Sequence, residues 1–138
     1  VNARGVDVNR NFPARTWTAK SEGRSYAPGP APASELETQA VIDLVDRLRP
    51  AKILSVHDPL RVNNHDGPAG EAMARAMAAH NGYPVKGTIG YPTPGSFGTW
   101  AGQERGIPMV TLEVERVRLA VERTLGALFA AILVKAGE

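Results

Sequence analysis

The most constraining stretch of this chain is Pro108–Glu115, Pro-Met-Val-Thr-Leu-Glu-Val-Glu. Met109, Val110, Leu112 and Val114 form a short, nearly continuous apolar run, preceded by Ile107-Pro108 and followed by Glu115-Arg116. Such a run reads as a buried strand of a parallel or mixed sheet. Inside it stands Glu113, a carboxylate whose burial is costly without a partner or a task. Alternation of side chains along a strand leaves two readings open. Glu113 either points to solvent or is held in the protein for chemistry.

A chain of 138 residues can bury a core of its own and is read as one domain spanning 1–138. The formal net charge is +2 and its sixteen basic residues are scattered, which argues against a nucleic-acid partner. Cysteine is absent, so disulfides and thiolate metal sites are excluded. No apolar run reaches the length of a membrane span and no signal peptide is visible, which suits a cytoplasmic protein without a membrane partner. The chain opens Val-Asn-Ala-Arg with no initiator Met and is expected to be part of something longer.

Residues 1–13 pack Asp7, Asn9, Arg10 and Asn11 tightly before Phe12-Pro13. Guanidinium and amide donors side by side suit a carboxylate ligand. Residues 14–33 are rich in Gly, Pro, Ser and Ala and read as an irregular surface loop. Ser34 with Glu37 forms a capping box and predicts a helix over 34–49, with Leu36, Ala40, Val41, Leu44, Val45 and Leu48 as its apolar stripe. Lys52–Val56 is a predicted strand with His57 at its carboxyl end, and 58–68 reads as a loop. A second helix is expected over 69–80, with Met73 and Met77 as core filler and Asn81-Gly82 at its end. A strand around 86–89, a stiff turn over 90–95 and a short helix over 96–105 lead to the strand described first. The last helix, 116–135, carries Val117, Val121, Leu125, Leu128, Phe129 and Ile132 at core spacing. The pattern is α/β, a partial mixed or parallel sheet flanked by helices. The strands Ile53–Val56 and Met109–Val114 should be neighbours, with the helices 34–49 and 116–135 packed on the sheet.

Ligands of open α/β sheets bind at the carboxyl ends of strands. His57 and Glu113 both occupy that position, so they could face one cleft, the histidine for metal or proton transfer and the glutamate as a general base. No His-Glu-x-x-His motif or phosphate-binding glycine loop is present.

Four motifs follow one another: Gly-Val-Asp-Val-Asn-Arg-Asn-Phe-Pro, Leu-Ser-Val-His, Tyr-Pro-Thr-Pro-Gly-Ser-Phe-Gly and Val-Thr-Leu-Glu. In this order they resemble the zinc metallocarboxypeptidases related to carboxypeptidase A, and their wording is most similar to the bacterial murein peptide amidase branch, which cleaves γ-D-glutamyl–diaminopimelate bonds. The resemblance implies a three-layer α/β/α fold and zinc-dependent hydrolysis of an amide beside a free carboxylate. It implies that His57 is a zinc ligand and Glu113 the general base acting on the metal-bound water. It implies that Asn9 and Arg10 grip the substrate carboxylate, that Asp7 orients a histidine ligand, and that Tyr91 closes over substrate.

The family's other two zinc ligands come from a His-x-x-Glu motif, which these residues do not contain. The expectation is therefore the carboxyl-terminal portion of such an enzyme, with an incomplete zinc site and doubtful activity alone. The alternative is a non-catalytic relative that binds peptides or a partner chain. His65 and Asp66 would be the first candidates for any ligands supplied from within. An uncovered sheet edge should make the chain a homo-oligomer.

Overall fold

The computed structural model describes residues 1–21, 23–115 and 121–134. Its contacts gather into two compact units, Val1–Pro50 with Pro92–Trp100, and Ala51–Tyr91 with Ala101–Glu138.

The first unit is built on irregular backbone that side chains hold in place. Asp7 accepts a hydrogen bond from the Asn9 N–H at 2.9 Å and so opens the one-turn helix Val8–Arg10. Asn11, with no exposed surface, donates through Nδ2 to the carbonyls of Pro28 and Ala31 and accepts the Glu35 N–H on Oδ1. One buried amide thus fastens the Pro-rich loop, which the sequence left as plain surface. Phe12, Phe97 and Trp100 stack at 4.9 to 6.2 Å between ring centroids and form the unit's apolar centre.

Helix α1 spans Leu36–Leu48, with Arg49 in the left-handed region before Pro50. The expected capping box does not form. The Ser34 hydroxyl is occupied by Asn11 Nδ2 and the Glu35 carboxylate, and Glu35 is the residue at the helix start. Of the expected stripe only Val45 is buried. Thr38 and Val45 are buried, whereas Leu36, Leu44 and Leu48 are exposed, because within its unit the helix packs against the Val8–Arg10 turn.

The second unit holds a mixed sheet of β1 (Ile53–His57), β2 (Val62–His65), β3 (Val85–Lys86) and β4 (Met109–Glu113), in the order β1-β4-β2-β3. β4 runs parallel to β1, with Ile53 opposite Met109 and His57 opposite Glu113, and antiparallel to β2, with Asn64 opposite Thr111. The two strands expected as neighbours are adjacent in register. The expected strand near 86–89 is the two-residue β3.

The sequence predicts loop where β2 lies, since Val-Asn-Asn-His carries a single apolar side chain. It is a strand because tertiary partners meet its amides in place. Asn63 and Asn81 exchange side-chain hydrogen bonds at 3.0 and 2.9 Å, and Asn63 also donates to the Tyr83 carbonyl.

Alternation gives this sheet two different faces. One face presents Leu54, Val110, Leu112 and Val85 to a core completed by helices α2 (Glu71–Asn81) and α3 (Val121–Leu133). Met73 and Met77 fill that core, as expected, and Gly82 ends α2 at φ 69°. Gly70 is obligatory at the start of α2, since a Cβ there would stand 2.2 Å from the Met109 carbonyl oxygen.

For α3 the expected stripe is overturned in part: Leu128 packs against the core, but the large residues around it do not. Ala127, Ala130 and Ala131 are buried, and Leu125, Phe129 and Ile132 are exposed. Small residues allow α2 and α3 to approach closely, and the Gly126 Cα lies against His80. Val117 and residue 135 of the predicted helix lie outside the described residues, as does the side chain of Val121.

Candidate functional site

The second face of the sheet is polar. Across one row the register sets Ser55, Thr111 and Asn64 side by side, and across the next His57, Glu113 and Val62. Neighbours in a row are about 4.8 Å apart and successive rows about 7 Å. His57 and Glu113 are direct partners in a parallel pair, so their side chains leave the same face at the carboxyl ends of β1 and β4.

The solvent reading of Glu113 is excluded, since only 4% of it is exposed. Its Oε2 is buried without a hydrogen-bond partner. An unpaired polar atom of this kind costs about 1–3 kcal/mol, and such atoms concentrate where chemistry needs them.

Asp66 follows β2 and is buried. It accepts from Thr111 Oγ1 on one oxygen at 2.8 Å and from Asn64 Nδ2 on the other at 3.1 Å. Burial raises its carboxyl above the ordinary range, and the hydrogen bond from Thr111 and the nearby His57 and His65 oppose that shift only in part. The π-type turn Gly98–Gln103 comes against it near its end: a Cβ on Gly102 would stand 2.0 Å from the Asp66 carbonyl oxygen. Asn64 Oδ1 is a second buried acceptor with no partner. Neither Asn64 nor Thr111 was singled out by sequence. Thr111 stands two residues before Glu113, and strand alternation alone puts it on the same face.

In the first unit, Asn9 accepts the Phe97 N–H on Oδ1 at 2.9 Å. Its amide nitrogen is thereby left to donate. Arg10 is 8% exposed, lies 5.4 Å over the Tyr26 ring and donates through Nη1 to the Asn9 carbonyl. That bond uses one of the five guanidinium donors. Asp7, Asn9 and Arg10 therefore share one turn. Tyr91, in the second unit, is 45% exposed and follows Gly90 at φ 94°.

A catalytic zinc takes three protein ligands and an open position. Among the described residues no three His, Cys, Asp or Glu side chains gather as a metal-holding group. His65 and Asp66 do not complete one around His57. His65 pairs with Val110, on the core side, and its Nδ1 meets the Gly67 carbonyl, while Asp66 binds Thr111 on the polar side. These residues fit one ligand of a zinc site and not a whole one.

A family profile described as zinc carboxypeptidase matches residues 1–59. Murein peptide amidase A of Escherichia coli (strain K12) is 40% identical over 113 residues, covering 72% of this chain and 45% of that protein. Murein peptide amidase A of Vibrio campbellii is 34% identical over 143 aligned positions, covering 94% of this chain and 56% of that protein. The chain thus spans about half the length of the curated relatives it matches. The crystal structure of murein-tripeptide amidase from Escherichia coli O157 superposes with a TM-score of 0.70 at 35% identity, over 95% of this chain and 58% of that one. Carboxypeptidase A of Helicoverpa armigera shares the fold, with a TM-score of 0.73 at 18% identity over 92% of this chain and 41% of that one.

Proposed function

Because the chain belongs to the zinc carboxypeptidase family, we propose that it supplies the general base and the carboxylate-binding turn of an amide hydrolase whose substrates are murein peptides. The bond cleaved is the γ-D-glutamyl–diaminopimelate amide, beside a free carboxylate. The carrying observation is the pairing of His57 with Glu113 on one sheet face, with one Glu113 oxygen buried and unpartnered.

In this reading Glu113 accepts the proton of the attacking water and returns it to the leaving amine, which suits a carboxylate held without a competing donor. Asn9 and Arg10 bind the substrate carboxylate through an amide and a guanidinium, a donor set that a carboxylate accepts bidentately. Tyr91 closes over the substrate, and Asp7 orients a histidine ligand through a hydrogen bond. His57 would contribute one ligand to a zinc, which when bound would supply polarisation of the scissile carbonyl and acidification of water. The described residues do not by themselves complete its site.

The alternative reading is a relative that binds such peptides without cleaving them. One experiment separates the two. In the full-length protein, Glu113→Gln lowers kcat on L-Ala-γ-D-Glu-diaminopimelate by about a hundredfold or more while KM changes little. A full-length protein that binds the tripeptide and releases no product establishes the alternative reading; near-normal turnover by the variant removes Glu113 from the role.

A further inference from the structure

Arg10 is a buried cation: it is 8% exposed, and among the described residues no carboxylate forms an ion pair with it. Its Nη1 donates to the Asn9 carbonyl at 2.8 Å, which leaves the other guanidinium donors outside that bond. Burying a charge on those terms is costly unless another group offsets it. The group that does so is an aromatic face, since the guanidinium carbon lies 5.4 Å over the centre of the Tyr26 ring. A ring attracts a cation through its quadrupole and takes up no N–H donor in doing so.

The backbone brings Tyr26 to that place. One residue beyond it, the Ala27 carbonyl accepts the Asp7 N–H at 2.8 Å. The Pro28 carbonyl then accepts Asn11 Nδ2 at 2.7 Å. The segment carrying the ring is therefore fastened to the residues on either side of the Val8–Arg10 turn. Gly95 packs on the same turn at φ 68°, where a Cβ would stand 2.3 Å from the Arg10 carbonyl oxygen. With the backbone held in this way, the freedom left to Arg10 is in its side-chain torsions, and the ring restricts those. Tyr26 keeps 45% of its surface exposed, so it fills no core of its own.

We propose that Tyr26 is a positioning residue for carboxylate recognition: its ring keeps the Arg10 guanidinium ordered before substrate arrives, with its remaining donors available. This rests on the reading above in which Arg10 grips the substrate carboxylate. Ordering one long side chain at the moment of binding lowers affinity by about two- to tenfold, and the ring removes that penalty in advance.

The test uses two ligands on the full-length protein carrying Glu113→Gln, so that binding is read without turnover. One is L-Ala-γ-D-Glu-diaminopimelate, and the other is the same peptide amidated at the diaminopimelate carboxyl beside the attacked amide. Calorimetry should give the free acid an advantage of about tenfold or more, the scale of a charge-assisted hydrogen bond. Arg10→Met abolishes that advantage. Tyr26→Leu cuts it by about two- to tenfold through weaker binding of the free acid alone. Tyr26→Phe, which keeps a ring face, restores it. Should circular dichroism show Tyr26→Leu unfolded, Tyr26→Gln takes its place. An equal loss on both peptides, as a purely structural tyrosine would give, overturns the proposal and leaves the Arg10 reading standing, and so does an unchanged advantage. No advantage in the parent protein, or one that survives Arg10→Met, removes the Arg10 reading and the proposal with it.

Discussion

Asn63 and Asn81 hydrogen-bond to each other through both side-chain amides, each donating to the other's oxygen at 3.0 and 2.9 Å. Asn63 has no exposed surface and Asn81 only 3%. Asn81 Oδ1 also accepts the Tyr83 N–H, so the pair ties strand β2 to the end of helix α2. Removing one member leaves the other's buried amide unmet. Asn63→Ala should therefore cost about 2–3 kcal/mol in urea unfolding. The double variant Asn63→Leu/Asn81→Leu should cost less than the two single leucine changes summed, because no orphaned group remains. Strict additivity in that cycle would show that the pair is not coupled.

A second prediction opposes stability to function at Glu113. A buried carboxylate with an unpartnered oxygen is held at the expense of the fold. Glu113→Leu, close in volume and apolar, should leave the chain as stable or raise stability by about 1 kcal/mol while abolishing turnover in the full-length protein. A loss of more than about 2 kcal/mol would mean that the carboxylate is a structural member of the sheet.

What was legible in the sequence followed periodicity and local chemistry. The β1 and β4 strands, the α2 core methionines and the His57–Glu113 pairing all rest on apolar runs and strand alternation, which survive without tertiary knowledge. β2 was not legible. Its Asn63 and Asn64 look like loop residues until Asn81 and Asp66 are beside them, and those partners come from the fold. The same limit hid the Asn64–Asp66 hydrogen bond. α3 misled for a different reason. Leu125, Phe129 and Ile132 have the right spacing for a core, but Ala127, Ala130 and Ala131 share the helix and permit closer packing on α2. Hydropathy ranked the larger side chains first, and packing favoured the smaller ones. The Ser34–Glu37 box failed because the long-range bond from Asn11 claimed the serine hydroxyl.

The third prediction concerns pH. Hydrogen bonds from Asn2 and then Ser34 hold the Glu35 carboxyl below the ordinary range, with the Arg4 charge helping. Its folded value is thus below its unfolded one. The stabilisation is present above the unfolded value and is lost as pH falls through the depressed folded value. Asp66 has the opposite sign, because its raised carboxyl makes stability fall as pH climbs from the ordinary value through the raised one. Melting temperatures across the acid range should therefore drop less steeply towards low pH in Glu35→Gln, and lose their decline towards neutral pH in Asp66→Asn. Parallel curves for wild type and Glu35→Gln would mean that the Asn2 and Ser34 bonds do not favour the charged form.

The last prediction is association, which two features of the second unit support. β1 is the outer strand of its sheet, and Val56 in it is 53% exposed. In β1 the Ile53 N–H and the His57 carbonyl face β4, so the Leu54 and Val56 backbone groups face outward. Open strand edges pair with other strands unless charge or proline blocks them, and Leu54 and Val56 provide neither. On α3, Leu125, Phe129 and Ile132 add an exposed apolar row at helical spacing. This chain alone should be a dimer or larger in light scattering, with mass rising with concentration. Val56→Lys puts a charge on the edge and should shift the mass towards a monomer; Phe129→Glu tests the helix row in the same way. A response to the first variant alone assigns the contact to the strand edge, and a response to the second alone to α3. A wild-type chain that stays monomeric at every concentration removes both surfaces as sites of self-association.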